Sequence, residues 1–188
     1  ELRLYPIGKT AESYTVPAGV QDIMGYAFYG ASNLKQLIIP EGVSRVYAQA
    51  IRDMGNLETV DFPSTLTELN AGTFYGCKKL KTIIIRATEV PNYGGTDLSS
   101  SNFDNTVLYV PEASLEAYKA DTKFGALNAN GRNNIKSIGV LTGIDNIASE
   151  DAIEVARYDI TGRQLKSAAK GINIVKYSDG SIKKVLVK

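Results

Sequence analysis

The stretch Leu34-Lys35-Gln36-Leu37-Ile38-Ile39-Pro40 decides how the rest of the chain is read. Its alternation predicts a short strand with Leu37 and Ile39 pointing inward and Gln36 and Ile38 outward. Pro40 has no N–H to give a ladder, so pairing ends there. Moving outward, the pattern returns at a fixed step: Pro17, Pro40 and Pro63 are 23 residues apart. The same step aligns Val20 with Val43 and Leu66, and Ile23 with Val46 and Leu69. It also aligns Phe28 with Ile51 and Phe74, Leu34 with Leu57 and Leu80, and Leu37 with Val60 and Ile83. So many apolar columns in agreement make a true internal repeat.

Each unit reads Leu-x-x-apolar-x-apolar-Pro, then apolar-x-x-apolar, then a small turn. This is the strand signature of a leucine-rich repeat, whose period lies in the same range. Val43 and Val46 begin the return run, and Ala50-Ile51 (Ala27-Phe28 one unit earlier) plug the core from a short helical turn. A single unit buries too little apolar surface to offset the entropy of ordering it, so the units must stack. The expected fold is therefore an α/β solenoid of 23-residue leucine-rich repeats over 1–138, with a parallel concave sheet. Ser13 to Val16 fill the strand columns of a first, partial unit. Asn92 to Thr106 is a Gly/Ser/Asn-rich excursion with the composition of an exposed insertion. Val107 to Pro111 reads as the last rung, and Glu112 to Asp121 as a capping helix with Leu115 and Tyr118 on one face.

From Gly139 the columns stop, and 139–188 reads as a small antiparallel β-rich module. Val155 to Asp159, Ile172 to Tyr177 and Ile182 to Val187 are the expected strands, the first closed by Thr161-Gly162. Asp179-Gly180 between the last two is a strong hairpin signal. A two-residue loop sets Ile174 opposite Val185 and Ile172 opposite Val187, giving one apolar face. The module either packs on the end of the solenoid or stands as a small domain of its own.

Composition narrows the function. The net charge is +1, from 21 Lys/Arg against 20 Asp/Glu, so the counterion-displacing stripe of a nucleic-acid binder is not expected. No apolar run reaches the roughly 20 residues of a membrane-spanning helix. The chain opens at Glu1 with no Met and no apolar leader; either a leader has been removed or the sequence starts downstream of it. There is no histidine, the usual neutral-pH base and the commonest metal ligand, and one cysteine. Cys77 shares a column with Ala31 and Met54 and reads as core, not as a reactive thiol. Gly8-Lys9-Thr10 lacks the earlier glycine of a phosphate loop, since that position is Arg3. Asp97, Asp104 and Asn105 in the long loop offer oxygen ligands for calcium, against the plainer reading of a solvated polar loop. No catalytic, cofactor or metal residues are therefore expected, and the chain reads as non-enzymatic.

Stacked strands place their outward residues in columns on one face. Those columns hold Gln36 and Ile38, Thr59 and Asp61, Thr82 and Ile84, and Tyr109, flanked by Ser13, Thr15 and Val107. Ile38, Ile84 and Tyr109 fall in one column, an apolar stripe of the kind that marks a contact site. The face measures roughly 350–400 Å² at ~4.8 Å per rung. A standard protein partner buries about 800 Å² per side, so a peptide, a glycan or a weak multivalent contact fits better.

The runs Gly25-Tyr26-Ala27-Phe28-Tyr29-Gly30 before Leu34 to Pro40, and Gly72-Thr73-Phe74-Tyr75-Gly76-Cys77 before Leu80 to Ile85, resemble the BspA-type leucine-rich repeats of Bacteroidetes surface proteins. Leu108-Tyr109-Val110-Pro111 followed by Leu115-Glu116-Ala117-Tyr118 resembles the end of such arrays. The middle unit departs, with Ile51-Arg52-Asp53-Met54, and a distortion is expected there. The resemblance implies a core position for Cys77. It also implies a non-catalytic extracellular or cell-surface module that binds a protein, peptide or glycan. A structural spacer or self-assembly unit with weak self-association is the alternative. Tyr158-Asp159-Ile160-Thr161-Gly162-Arg163 and Gly171 to Lys176 are similar to C-terminal sorting modules of Bacteroidetes exported proteins, which implies either a sorting role or a cap.

Overall fold

The structure, a computed structural model, describes residues 1–95, 98, 103–139, 154–159, 163–177 and 182–187. It divides into two compact units, Glu1–Ile138 and Gly139–Lys188.

In the first unit each turn of chain lays down a front strand and a shorter back strand. These are β1 (Ser13–Thr15) and β2 (Asp22–Ile23), β3 (Gln36–Ile38) and β4 (Arg45–Val46). Next come β5 (Thr59–Phe62) and β6 (Glu68–Leu69), then β7 (Thr82–Ile85) and β8 (Asn92–Tyr93). The front strands continue with β9 (Val107–Val110) and β10 (Ile135–Ser137). The front sheet runs β1-β3-β5-β7-β9-β10 and the back sheet β2-β4-β6-β8, both parallel. Register follows the 23-residue step: Leu37 lies opposite Val60, and Val60 opposite Ile83. Those side chains, with Ile23, Val46 and Leu69 from the back sheet, are fully buried between the two sheets.

The corner joining back to front is a chain of i→i−3 turns, not a helix. Ala27 N–H donates to Met24 at 3.1 Å and Ala31 N–H to Phe28 at 3.1 Å. Rungs also bond to each other there, Phe28 N–H reaching the Ala50 carbonyl at 2.8 Å. A backbone group in this corner thus finds its partner one rung away, and a continuous helix is not needed to satisfy it. Two columns of left-handed residues make the turns: Tyr26, Gln49 and Gly72 (φ 61, 61 and 67°), and Gly30, Asp53 and Gly76 (φ 70, 57 and 77°). The distortion expected at Ile51 to Met54 is absent. Asp tolerates the left-handed region better than most side chains, so Asp53 holds the conformation its glycine neighbours hold.

The C-terminal end corrects a second expectation. A 3-10 turn over Glu112–Ser114 leads into α1 (Leu115–Ala120), whose buried Tyr118 donates its hydroxyl to the Ala87 carbonyl at 2.9 Å. The chain then passes through a 3-10 stretch, Phe124–Gly131, and returns as β10, with Ile135 opposite Leu108. β9 is therefore not the last rung. The step is longer than 23 here, which hides β10 from the column pattern.

In the second unit β11 (Glu154–Asp159), β12 (Gln164–Leu165), β13 (Gly171–Tyr177) and β14 (Ile182–Val187) form an antiparallel sheet in the order β12-β11-β13-β14. The register differs by one residue from the expected hairpin: Ile174 faces Lys184, and Asn173 faces Val185. Among the residues of β13 whose burial is described, Asn173 and Val175 are buried. The amide of Asn173 is satisfied locally, donating to the Ala169 carbonyl at 2.7 Å and accepting from Ala169 N–H at 3.0 Å and Arg157 at 3.1 Å. A polar residue so fully bonded tolerates burial, which puts Asn173 inside and leaves Ile174 only half-buried. Thr161-Gly162 and the hairpin loop Ser178 to Ser181 lie outside the described residues.

Candidate binding surfaces

The parallel register gathers the predicted face residues into two adjacent columns. Gln36, Thr59 and Thr82 lie side by side, as do Ile38, Asp61, Ile84 and Tyr109. Gln36 is exposed and the other six are half-buried, since each outward side chain is flanked by its neighbours above and below. Asp61 interrupts the apolar column. Its carboxylate accepts two hydrogen bonds from Arg86, at 2.9 and 2.7 Å, and its side chain keeps only 18% exposure. Ile38 and Ile84 are thus separated by a closed ion pair, and the face is a mosaic more than a stripe.

Charged columns flank this face, and the apolar pattern alone does not find them. Glu12, Lys35, Glu58 and Lys81 alternate in sign along the rungs, with contacts of 2.6 Å (Lys35 to Glu12) and 3.0 Å (Lys81 to Glu58). The Glu12 hydrogen bond and charge, helped by Glu58, hold the Lys35 ammonium above the usual lysine range. The hydrogen bond and charge of Lys81 hold Glu58 low. On the back strands Arg45 meets Asp22 at 2.7 Å, and that pairing raises its pKa, with Glu68 adding to it. Glu41 accepts from the Ser64 N–H at 3.0 Å and its hydroxyl at 2.8 Å, which lowers its pKa below the ordinary 4.5. These carboxylates hold cations and backbone donors one rung away.

A second surface lies on the corner turns, where large aromatic side chains stand in solvent. Tyr26, Tyr29 and Tyr75 are 50, 47 and 57% exposed. Tyr29, Arg52 and Tyr75 share one column of the repeat, and Arg52 lies over the Tyr75 ring at 4.7 Å from its centre. The signal is present in the sequence as the residue after each Phe28-type core position.

The other chemical candidates fall into structural roles. Cys77 is buried, its sulfur 3.1 Å from the Ile51 carbonyl. Of the calcium candidates, Asp97 lies outside the described residues, and Asp104 is ion-paired to Arg132. Among the described residues no group of three or more potential metal ligands comes together. The Gly8-Lys9-Thr10 segment lies near the first rung, where Asn33 donates to the Lys9 carbonyl at 2.8 Å. In the second unit an open hollow is lined by Glu154, Arg157, Gln164 and Lys166. Its Glu154 is bonded to Arg157 at 2.9 and 2.7 Å, which lowers the carboxyl pKa. Among the described residues no helix is long and apolar enough to cross a membrane.

Comparison with known proteins agrees with this architecture. The leucine-rich-repeat protein of T. pallidum is 23% identical with a TM-score of 0.50, covering 60% of this chain and 52% of that one. A leucine rich cell surface protein of Faecalibacterium prausnitzii is 24% identical with a TM-score of 0.49, covering 72% of this chain and 34% of its own. The pneumococcal vaccine antigen PcpA is 18% identical with a TM-score of 0.43, covering 72% and 44%. The chain thus spans about half the length of these proteins or less, and its likeness to the T. pallidum protein is one of fold. No curated protein matches the chain. The family model described as BspA type Leucine rich repeat region matches residues 8–119 in six copies. Matched over more than half its length, the chain belongs to the BspA-type leucine-rich-repeat family.

Proposed function

We propose that this protein is a non-catalytic binding module of an extracellular or cell-surface protein, and that it recognises a macromolecule through the outward face of its front sheet. One observation carries the reading: the register sets Gln36, Thr59, Thr82, Ile38, Asp61, Ile84 and Tyr109 in two adjacent columns on one rigid surface. The strands that carry these residues are paired in the parallel ladder, so little backbone ordering entropy remains to be lost when a partner docks. The small area of the face favours an extended peptide or glycan laid across the rungs. The family resemblance of the repeats supports the surface setting.

The test is binding of the purified chain to arrays of matrix proteins, peptides and glycans, beside an Ile38→Asp/Ile84→Asp/Tyr109→Ala variant of matched thermal stability. A ligand retained by wild type and lost by the variant is the expected result. Equal binding by both removes the site from this face. No binding by either favours the spacer role.

A further inference from the structure

We infer that the corner turns carry a second site, a stacking platform for a neutral oligosaccharide, built from Tyr26, Tyr29, Gln49, Arg52, Asp53 and Tyr75. This goes beyond the sheet-face reading, because it concerns another surface of the solenoid and a defined ligand class.

The three tyrosines are among the exposed large hydrophobic residues, and burial does not explain them. They are also held in place. Tyr26 and Tyr29 pack edge to face with ring centres 5.8 Å apart. Tyr75 carries Arg52 over its face at 4.7 Å. Arg52 is fixed in turn by Asp53 at 3.2 Å and by a hydrogen bond to Gln49. Space for these groups is made one rung further on. A Cβ on Gly72 would lie 3.1 Å from the Gln49 side chain, and a Cβ on Gly76 would collide with the Asp53 carboxylate. Tyr75 therefore rises between two glycines, with the polar ends of Gln49 and Asp53 lying over them.

Charge and spacing select the ligand. Arg52 and Asp53 neutralise each other, so the platform carries no net charge to recruit an acidic partner such as a nucleic acid or a sulfated glycan. What remains is aromatic faces bordered by amide, guanidinium and carboxylate hydrogen-bonding groups. A pyranose presents the complement, an apolar C–H face ringed by hydroxyls. Tyr29 and Tyr75 are two rungs apart, about 10 Å at ~4.8 Å per rung, close to the length of a disaccharide. Exposed rings held rigid lose little entropy on binding, which suits a ligand that offers few contacts.

The chain has no tryptophan, and three of its eleven tyrosines stand on this surface, so the difference in tyrosine emission between wild type and the Tyr29→Ala and Tyr75→Ala variants reports on it. The experiment titrates the full chain with cellohexaose, chitohexaose, mannohexaose and a sulfated hexasaccharide, by calorimetry and by tyrosine emission. Wild type should bind at least one neutral hexasaccharide. Tyr29→Ala and Tyr75→Ala should each weaken it about tenfold, Tyr75→Phe should retain it, and the Ile38→Asp/Ile84→Asp variant should bind as wild type does. Thermal unfolding of each variant confirms that the fold persists. The inference is overturned if no neutral oligosaccharide binds, if binding survives both tyrosine truncations, or if the sulfated sugar binds more tightly. Loss of sugar binding in the sheet-face variant alone assigns the sugar to that face instead and also overturns it.

Discussion

At the scale of single residues, the repeat is held by positions that have no freedom to vary. Gly76 is left-handed, and its missing Cβ makes room for the Asp53 carboxylate. Gly76→Ala should destabilise the chain by about 1–3 kcal/mol, read from urea unfolding at unchanged slope. Adding Asp53→Gly should recover part of that loss by restoring the space, leaving only the backbone penalty. Tyr118 seals the C-terminal end of the core, and burial pushes its phenol well above the usual tyrosine range. Tyr118→Phe removes the bond to the Ala87 carbonyl and leaves that acceptor buried, so a loss of about 1–3 kcal/mol is expected in the same assay. A variant as stable as wild type would show that the carbonyl finds another donor.

At the scale of elements, the ladders give the solenoid a dependence on pH. Glu41 and Glu58 have pKa values below the ordinary 4.5 in the folded chain. Their contribution is fully present above the unfolded value and is lost as pH falls through the lower folded value. Melting temperature should accordingly hold steady above pH 4.5 and fall below it. The gap between wild type and Glu41→Gln should be open at neutral pH and close in acid; a gap independent of pH would refute the assignment. The front strands were legible in the sequence because two periods coincide, alternation within a strand and the 23-residue step between strands. The charged columns obey that same step, Glu12 to Lys35 to Glu58 to Lys81, and are equally present in the sequence. The corner was harder to read. A turn that divides its bonds between local i→i−3 partners and the next rung leaves a weak local signature, so Arg52-Asp53 looks like a break in the motif when it keeps the backbone of its neighbours. The register of β13 against β14 was obscured for a different reason, since Asn173 is buried by hydrogen bonds that lie outside any apolar pattern.

At the scale of the whole molecule, the 23-residue unit is the quantum of structure. The ladders β1-β3-β5-β7 and β2-β4-β6, the left-handed columns of the corner and the Glu12-Lys35 and Glu58-Lys81 pairs all keep that step, and β8 departs from it by one residue, with Leu69 opposite Tyr93. Stability in such an array is a sum of units and their interfaces, so a unit can be removed without breaking the pattern that remains. The candidate sheet face shortens in proportion, because its columns are one residue deep per rung. The most direct test deletes residues 36–58, joining Lys35 to Thr59, and compares the product with a deletion one residue shorter, 36–57. Circular dichroism and urea unfolding should show that the full-unit deletion still unfolds in one cooperative transition at lower stability, while the shorter deletion loses its fold by turning inward side chains outward. Equal behaviour of the two deletions, or loss of folding in the first, would contradict the stacked 23-residue register.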